Sequence, residues 1–89
     1  MTKEEALDKA RNDLADRLNT DASKIGQPSV EEADFPDMAL GAAEDDEMSG
    51  MMMTRGWRIR LSAGGREYEY RADKNQLRLY KYKGKNHRI

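Results

Sequence analysis

Apolar and charged side chains alternate in the stretch Trp57–Leu61, where an apolar residue occupies every second position. This is the period at which a β-strand sends successive side chains to opposite faces of a sheet. Gly64 and Gly65 follow, and glycines readily adopt the positive φ angles of a two-residue hairpin turn. The sequence therefore predicts an antiparallel hairpin in which residues 57–63 pair with residues 66–72.

The glycine turn fixes the register of this hairpin. On its apolar face the predicted pairs are Trp57 with Ala72, Ile59 with Tyr70, and Leu61 with Tyr68. On its polar face Arg60 opposes Glu69. A slip of one residue would destroy both sets of matches, so we expect this register in the folded protein.

A second turn is expected over residues 73–76, because Asp favours the first position of a turn and Asn tolerates the left-handed conformation. A two-residue turn would start a third strand whose Leu77 and Leu79 continue the apolar face. A three-residue loop with a bulge is the competing register. Tyr80 and Tyr82 occupy the positions that alternate with those of Leu77 and Leu79 along the strand. They therefore point to the polar face unless a bulge intervenes.

An amphipathic helix is predicted at the N-terminus, where Thr2 and Glu5 have the spacing of a capping box. Its apolar stripe consists of Ala6, Leu7, Ala10, Leu14 and Leu18. Charged side chains occupy most other positions, and Asn19 with Thr20 would end the helix. We expect this helix to cover the apolar face of the sheet, because neither element can bury its apolar side alone.

Residues 21–25, after the helix, are expected to form one short turn that brings Ile25 into the core. A strand over residues 29–35 follows, with Phe35 also closing an edge of this core. Three acidic residues in that strand are typical of a sheet edge, where charge discourages pairing with other chains.

Together these elements predict a single α+β domain over residues 1–89. In it, the N-terminal helix packs on a three- to four-stranded antiparallel sheet in the order α-β-β-β-β. A mobile loop is expected at about residues 37–55 and a frayed tail at about residues 84–89. Because so small a core has little apolar area to lose, we expect Trp57→Ala to unfold the domain.

Composition limits the kinds of site that the chain can build. Only 37% of its 89 residues are hydrophobic, and it contains no Cys, which excludes disulfides, thiolate metal ligands and thiol nucleophiles. It shows no signal-peptide pattern and no apolar stretch of membrane-spanning length. We therefore expect a cytoplasmic protein without membrane association, present as a monomer or a homodimer.

The net charge of −1 hides a division of charge along the chain. Residues 1–54 carry 5 basic and 14 acidic side chains, whereas residues 55–89 carry 11 basic and 3 acidic ones. Two halves of opposite sign can neutralise each other by packing together, and a basic sheet face aimed at a polyanion would give the same pattern.

Candidate catalytic and metal-binding groups are few. The single histidine, His87, lies near the C-terminal end of the sequence, no serine lies in a nucleophile-elbow motif, and Gly64–Gly65 is explained by its turn. The acidic residues 44–47 lack the spacing of a calcium loop. Thioethers suit Cu(I), and five methionines lie close in sequence, but packing or an adaptable contact surface is favoured instead. These methionines are Met38, Met48, Met51, Met52 and Met53. We therefore expect no enzyme activity, no cofactor and no bound metal.

The candidate partner surfaces are the loop of residues 36–55, the exposed edge of the sheet, which can accept a partner's strand, and the polar face of the sheet. The candidate residues are Arg58, Arg60, Arg71, Arg78, Tyr80, Met51, Met52 and Met53. Cations interleaved with aromatic rings are typical of single-stranded nucleic acid platforms, although Glu67 and Glu69 on the same face would repel phosphate. We therefore predict a non-catalytic interaction domain for an unidentified protein or peptide, with weak nucleic-acid binding as the alternative.

Four segments of the chain together resemble a family of small, functionally uncharacterised bacterial domains. They are Ala10–Leu18, Phe35–Gly41, Thr54–Leu61 and Gly65–Tyr70. In that family a Leu-Ala-x-Arg-Leu helix precedes an aromatic-Pro-Asp-x-x-Leu-Gly loop and a Gly-aromatic-x-Ile-x-Leu hairpin with a Tyr-x-Tyr return strand. Many relatives resemble exported proteins with a Cys after the Leu-Gly element, where this chain has Ala42. The arrangement is also similar to PepSY and cystatin-like folds, whose members often bind or inhibit peptidases; this likeness transfers no functional residue.

Overall fold

The computed structural model describes residues 1–89 as one helix, one short 3-10 turn and a five-stranded sheet. The elements are α1 (Lys3–Leu18), the 3-10 turn (Ala22–Lys24), β1 (Gly26–Phe35), β2 (Thr54–Ala63), β3 (Arg66–Ala72), β4 (Leu77–Tyr82) and β5 (Lys85–Arg88). All neighbouring strands are antiparallel and lie in chain order across the sheet. The predicted α+β class and the order of helix and strands are confirmed, and the sheet has one strand more than the largest number expected.

The predicted hairpin register is confirmed for β2 and β3. The pairs are Trp57 with Ala72, Ile59 with Tyr70, Arg60 with Glu69, and Leu61 with Tyr68. Gly64 and Gly65 have φ angles of 57° and 79°, as a two-residue turn between twisted strands requires. Between β3 and β4, Ala72 pairs with Leu77, so the two-residue turn is formed rather than the competing bulged loop.

Helix α1 begins and ends where the sequence predicts. The Thr2 hydroxyl accepts a 3.2 Å hydrogen bond from the Glu5 amide, and the Glu5 carboxylate accepts a 2.8 Å bond from the Thr2 amide. At the other end Asn19 adopts the left-handed conformation, with a φ of 54°, and its amide bonds to carbonyls of the last turn. No helix of the chain is long and apolar enough to cross a membrane.

The main core lies between α1 and one face of the sheet. Its buried residues are Ala6, Ala10, Leu14, Ala15, Ile25, Ile59, Leu61, Tyr70, Ala72, Leu77 and Leu79. Leu7, Leu18, Trp57 and Tyr68, which the sequence places in this core, are only partly buried at its margin. The short turn after α1 brings Ile25 into the core as predicted.

Phe35 does not belong to this core, which corrects the expectation that it closes an edge beside Ile25. Val30 pairs with Ile59 and therefore faces the helix, so that Phe35, five positions later, faces the opposite side of the sheet. There its ring is 1% exposed. A second, smaller layer must therefore cover the face that the sequence predicts to be polar and open.

Residues 84–89, expected to be frayed, contain β5 instead. Tyr82 pairs with Lys85 across a tight turn, and the Ile89 amide donates a 2.9 Å hydrogen bond to the Leu77 carbonyl. The β4–β5 register shifts between Leu79 and Tyr82, and Lys81 has a φ of 50°. This bulge turns the second tyrosine of β4 toward the helix side, where it packs against the core.

Candidate functional site

The loop between β1 and β2, residues 36–53, is folded on itself by hydrogen bonds. The Asp37 carboxylate accepts from the amides of Ala39 (2.9 Å) and Gly41 (3.0 Å). The Ser49 hydroxyl also accepts from the Ala39 amide, at 2.9 Å, and the Met38 amide donates to the Gly50 carbonyl at 2.9 Å. These bonds bring the two ends of the loop together before β2 begins.

The first half of this loop packs on the polar face of the sheet. Ala39, Leu40 and Ala42 are each no more than 2% exposed, and together with Phe35 they form the second apolar layer. The Arg71 guanidinium donates to the carbonyls of Leu40 (3.0 Å) and Gly41 (3.3 Å). The loop is therefore anchored by burial and by hydrogen bonds to β3.

Arg78 and Glu47 form a two-pronged ion pair that anchors the second half of the loop. Arg78 Nη2 lies 2.6 Å from Glu47 Oε2, and Arg78 Nη1 donates to Glu47 Oε1. Arg78 is only 2% exposed, and hydrogen bonding to it lowers the pKa of Glu47 to about 2. The expectation that Arg78 belongs to an open partner surface is therefore wrong, because the loop folds over it and matches its charge.

Arg71 is also covered, between two aromatic rings. Its guanidinium carbon lies 3.6 Å from the centre of the Tyr80 ring and 5.3 Å from that of Phe35. Its Nε donates a 2.7 Å hydrogen bond to Glu69. Tyr80 is on the predicted polar face, opposite Glu69, but one side of its ring already stacks on this cation.

The two remaining candidate arginines of this face pair with carboxylates. Arg58 lies 3.3 Å from Glu69 and 3.5 Å from Glu31, and Arg60 lies 3.4 Å from Glu31. Their side chains are partly exposed, so these pairs are accessible to solvent. The face predicted to be basic is thus occupied by intramolecular ion pairs rather than presented as free positive charge.

An open groove of about 840 Å³ lies between the second half of the loop and the β3–β4 turn. It is lined by Met38, Met48, Met52, Met53, Trp57 and the turn residues 73–76, among others. Residues 51–53 do not extend β2, which begins at Thr54; they are exposed by 86%, 67% and 70%. We refer to this feature as the methionine groove.

Large exposed apolar side chains are concentrated at this place. Met38, Met48, Met52 and Met53 line the groove, Met51 precedes two of them in the same loop, and Ile89 lies outside the loop. Trp57 is half-buried and forms part of the groove wall while also packing against the main core. The structure therefore brings the predicted methionines together with a tryptophan that the sequence assigns to the core alone.

The carboxylates that line the groove are already satisfied. Asp73 is 8% exposed, and its side chain accepts hydrogen bonds from the amides of Asn75 (2.7 Å) and Gln76 (3.0 Å). Lys74 lacks an intramolecular salt bridge, and Arg88 has only a 3.9 Å approach to Glu47. Four cationic side chains and two carboxylates line the groove, so its net charge is positive.

The acidic residues 44–47 do not act as one cluster. Glu47 is held by Arg78, and Glu44 accepts a 3.3 Å hydrogen bond from the Arg88 amide. The structure brings together no group of three or more His, Asp or Glu side chains that could hold a metal ion.

Sequence reasoning missed the groove because its walls are far apart in the chain. The Asp73 turn and the loop meet through one side-chain contact, in which Gln76 Nε2 donates a 2.7 Å hydrogen bond to the Met38 carbonyl. A usable signal was present in Pro36 and Gly41, which shape a loop, and in Leu40, an apolar residue within it that needed a place to be buried.

One comparison with known proteins gives a match. The sequence model of a family described as "Domain of unknown function (DUF8738)" matches residues 7–80, which is most of the chain. No curated protein and no solved structure matches.

Proposed function

Because the chain belongs to the DUF8738 family, whose function is unknown, its role must be inferred from its own surface, and we propose that it is a non-catalytic interaction domain. Its methionine groove binds a peptide segment of a partner protein that has apolar side chains in the middle and acidic residues on either side. The observation that carries this proposal is the concentration of exposed methionines around the half-buried ring of Trp57.

Apolar exposure on this scale is costly without a binding role. Small proteins rarely expose contiguous apolar patches, and such patches often mark interaction sites. Met48 and Met51 are 97% and 86% exposed, although the same loop buries Leu40 completely. Since the loop can bury apolar residues, the exposure of its methionines supports a role in binding.

Methionine also suits the recognition of more than one sequence. Its side chain is unbranched, flexible and polarisable, and it adapts its shape to irregular partners. The backbone around it is fixed by the Asp37 and Ser49 hydrogen bonds and by the Glu47–Arg78 pair. An adaptable surface on an anchored loop is what a peptide-binding groove requires.

Charge at the rim selects the chemistry of the partner. Lys74 forms no salt bridge, and Arg88 approaches Glu47 only at 3.9 Å, on a carboxylate that already pairs with Arg78. The Asp73 carboxylate is turned toward the amides of its own turn. Acidic residues at the ends of an apolar peptide would pair with Lys74 and Arg88 and would speed association. A basic peptide of the same apolar content would be repelled.

The titratable groups support binding rather than catalysis. In the groove, Glu47 is the group whose pKa clearly departs from its ordinary value, and Arg78 holds it as a salt bridge. Catalytic acids and bases are expected to have shifted pKa values and free access to substrate. The pKa of Glu47 is shifted, but its carboxylate is held by Arg78 and is not free to reach a substrate.

The alternative of nucleic-acid binding through the sheet face finds less support. Arg71 and Arg78 lie under the loop, while Arg58 and Arg60 pair with Glu31 and Glu69. A phosphate backbone would have to displace these carboxylates before it could reach the guanidinium groups.

Trp57 provides a direct test, because it is the only tryptophan of the chain and lies in the groove wall. We would titrate the protein with two synthetic peptides that share a central Leu-Phe-Leu-Leu segment. One has Asp residues on both sides and the other has Lys residues. We expect the acidic peptide to shift the Trp57 emission with a Kd on the order of 10⁻⁵ M, and the basic peptide to bind at least about tenfold more weakly.

Matched variants locate the site. Replacing Met51, Met52 and Met53 by Ser should abolish the emission shift, whereas Ile89→Ser removes an exposed apolar side chain outside the groove and should leave it unchanged. Circular dichroism should show that both variants remain folded. The proposal would be overturned if the triple variant still bound the acidic peptide, or if the acidic and basic peptides bound with equal affinity.

A further inference from the structure

Salt bridges divide the cationic side chains of this protein into two groups. Seven arginines form ion pairs within the chain, and none of the seven lysines does. Arg66 resembles the lysines, because it too forms no ion pair and is exposed. The paired cations belong to the fold, so a surface for an anionic partner should be sought where the unpaired ones converge.

Three of the unpaired cations converge on one recess of about 630 Å³, formed by α1, β3, β4 and the β4–β5 turn. The cations are Arg66, Lys81 and Lys83, and the aromatic residues beside them are Tyr68, Tyr80 and Tyr82. We call this recess the tyrosine–lysine recess. It shares no residue with the methionine groove.

The carboxylates of this recess do not cancel its charge. Glu69 accepts from Arg71 at 2.7 Å and from Arg58 at 3.3 Å, so it is already neutralised from the polar face of the sheet. Glu67 is the remaining carboxylate in the lining and forms no ion pair. Arg17 also lines the recess, but its charge is matched by Asp13 at 2.8 Å. Free positive charge therefore exceeds free negative charge.

The tyrosine rings lie within reach of these cations. The Tyr68 and Tyr82 ring centres are 6.0 Å apart with their planes tilted by 39°. Lys83 Nζ lies 5.5 Å from the centre of the Tyr82 ring, and Lys81 Nζ lies 5.7 Å from that of Tyr80. A phosphate bound by either lysine would thus lie next to an aromatic ring.

Both lysines lie at positions where the backbone leaves the regular strand. Lys81 and Lys83 have φ angles of 50° and 52°, a conformation that residues with a Cβ rarely adopt. The bulge at Lys81 is also what turns Tyr82 toward Tyr68. The two-residue turn between β4 and β5 accounts for the conformation of Lys83, which it shares with Gly84. The backbone thus fixes where both lysines lie, and neither side chain forms an ion pair within the chain.

From these observations we propose that the tyrosine–lysine recess is a second binding site, which takes a short segment of single-stranded nucleic acid. Its cations would contact successive phosphates, and the exposed parts of its tyrosine rings would stack on bases, which is how single-stranded nucleic acid is bound without sequence preference. The chemistry is that expected from the sequence for the sheet face, but the cations are different ones and only Tyr80 is shared. The site is independent of peptide binding.

The test is fluorescence anisotropy with a labelled oligothymidylate of about ten nucleotides, titrated with the whole protein. Three phosphate contacts to a single strand predict that affinity falls about 18-fold between about 50 mM and about 200 mM salt. At the lower salt concentration we expect a Kd on the order of 10⁻⁵ M. Affinity that is insensitive to salt would overturn the proposal, as would the absence of binding at the lower concentration.

A double variant with a matched control locates the phosphate contacts. Lys81→Gln with Lys83→Gln should leave one contact, and the loss of affinity over the same change in salt should shrink to about threefold. Lys3→Gln with Lys9→Gln removes the same charge from exposed, unpaired lysines of α1 and should behave like the unaltered protein. Equal effects of the two double variants would show that only net charge matters and would exclude this site.

A last comparison separates nucleic acid from other polyanions. Tyr82→Phe keeps a ring for stacking and should retain binding, whereas Tyr82→Leu should weaken it at least about fivefold. Thermal melts of both variants check that they are folded; should Tyr82→Leu fail to fold, heparin competition decides alone. Heparin and a poly-glutamate peptide carry charge without bases, so tighter binding of either one than of the oligonucleotide would refute the assignment.

Discussion

The buried hydroxyl of Tyr70 donates a 2.7 Å hydrogen bond to Asp13 Oδ2, which ties the centre of the sheet to the middle of α1. The same carboxylate oxygen accepts a 2.8 Å bond from Arg17 Nε one helical turn later. Burial, followed by the bond to Asp13, raises the pKa of Tyr70 above its ordinary value of 10.0. A helix that otherwise rests on alanines and leucines is thereby fixed in one position along the sheet.

Tyr70→Phe should lower the free energy of unfolding by about 1–2 kcal/mol, because it deletes a hydrogen bond to a charged group but leaves Asp13 paired with Arg17. Urea denaturation would measure this change. Tyr68→Phe alters a partly exposed ring on the same strand and should cost little. Equal losses in the two variants would argue against the bond to Asp13.

The raised pKa of the Tyr70 hydroxyl predicts how the stability of the protein changes at high pH. Since the pKa of Tyr70 is higher in the folded protein than in the unfolded chain, its stabilising effect is complete below about pH 10 and is lost as the pH rises further. The stability difference between the unaltered protein and Tyr70→Phe should therefore shrink above pH 10. A constant difference up to higher pH would contradict the assignment.

Glu47→Gln should destabilise the protein at neutral pH, because it leaves the buried Arg78 without its counter-charge. The pKa of Glu47 is lowered from 4.5 to about 2, so the folded protein binds fewer protons than the unfolded chain between these values. The contribution of Glu47 is therefore complete above pH 4.5 and lost as the pH falls toward 2. Melting temperatures of the two proteins should converge over that range, and parallel curves would show that Glu47 carries no such linkage.

Gly56→Ala should destabilise the protein by about 3 kcal/mol, because β2 and β3 leave no room for a side chain. An added Cβ would lie 2.1 Å from the Ala72 carbonyl oxygen. Gly64→Asn is the matched control, since that position is open and its φ of 57° suits Asn in a hairpin turn. Guanidinium denaturation of both variants measures the contrast, and a Gly56→Ala variant as stable as the control would place the strands further apart than described.

The exposure of Trp57 revises the prediction made for it from the sequence. Because the ring is half-buried, Trp57→Ala should cost about 2 kcal/mol and leave a cooperative melt at lower temperature. Leu14 is fully buried between helix and sheet, so Leu14→Ala should cost more, about 2–5 kcal/mol. Circular dichroism at increasing denaturant would measure the stability that each variant loses. A larger loss for Trp57→Ala would indicate that its ring is buried in the core.

Local patterns were sufficient for the helix and the first hairpin. Thr2 and Glu5 satisfy each other within one turn of helix, and Gly64 and Gly65 set a register that pairs apolar residues with one another and Arg60 with Glu69. These decisions involve residues close in sequence, so the sequence contains all that is needed to make them. The bulge at Lys81 could not be predicted in this way, because the sequence allowed Tyr82 to lie on either face of the sheet.

The polar face of the sheet could not be predicted in the same way. The alternation of side chains along each strand correctly places Arg71, Arg78 and Tyr80 on one side of the sheet. What covers that side depends on Leu40 and Glu47, which lie about thirty residues earlier in a segment without periodicity. An arginine such as Arg78, which has no evident partner in the sequence, is therefore paired with a carboxylate in the folded protein.

The sequence by itself determined the order of the elements from α1 to β4, the start and end of α1 and the pairing of β2 with β3, because each follows from a local period or turn. For β3 and β4 it left two registers open. Only the tertiary structure decided which side of the sheet receives Phe35, which arginines are buried, and which cations stay free. The physical reason is that burial and ion pairing join residues distant in the chain, so the packing of the 36–53 loop selects the surfaces that remain open to a partner.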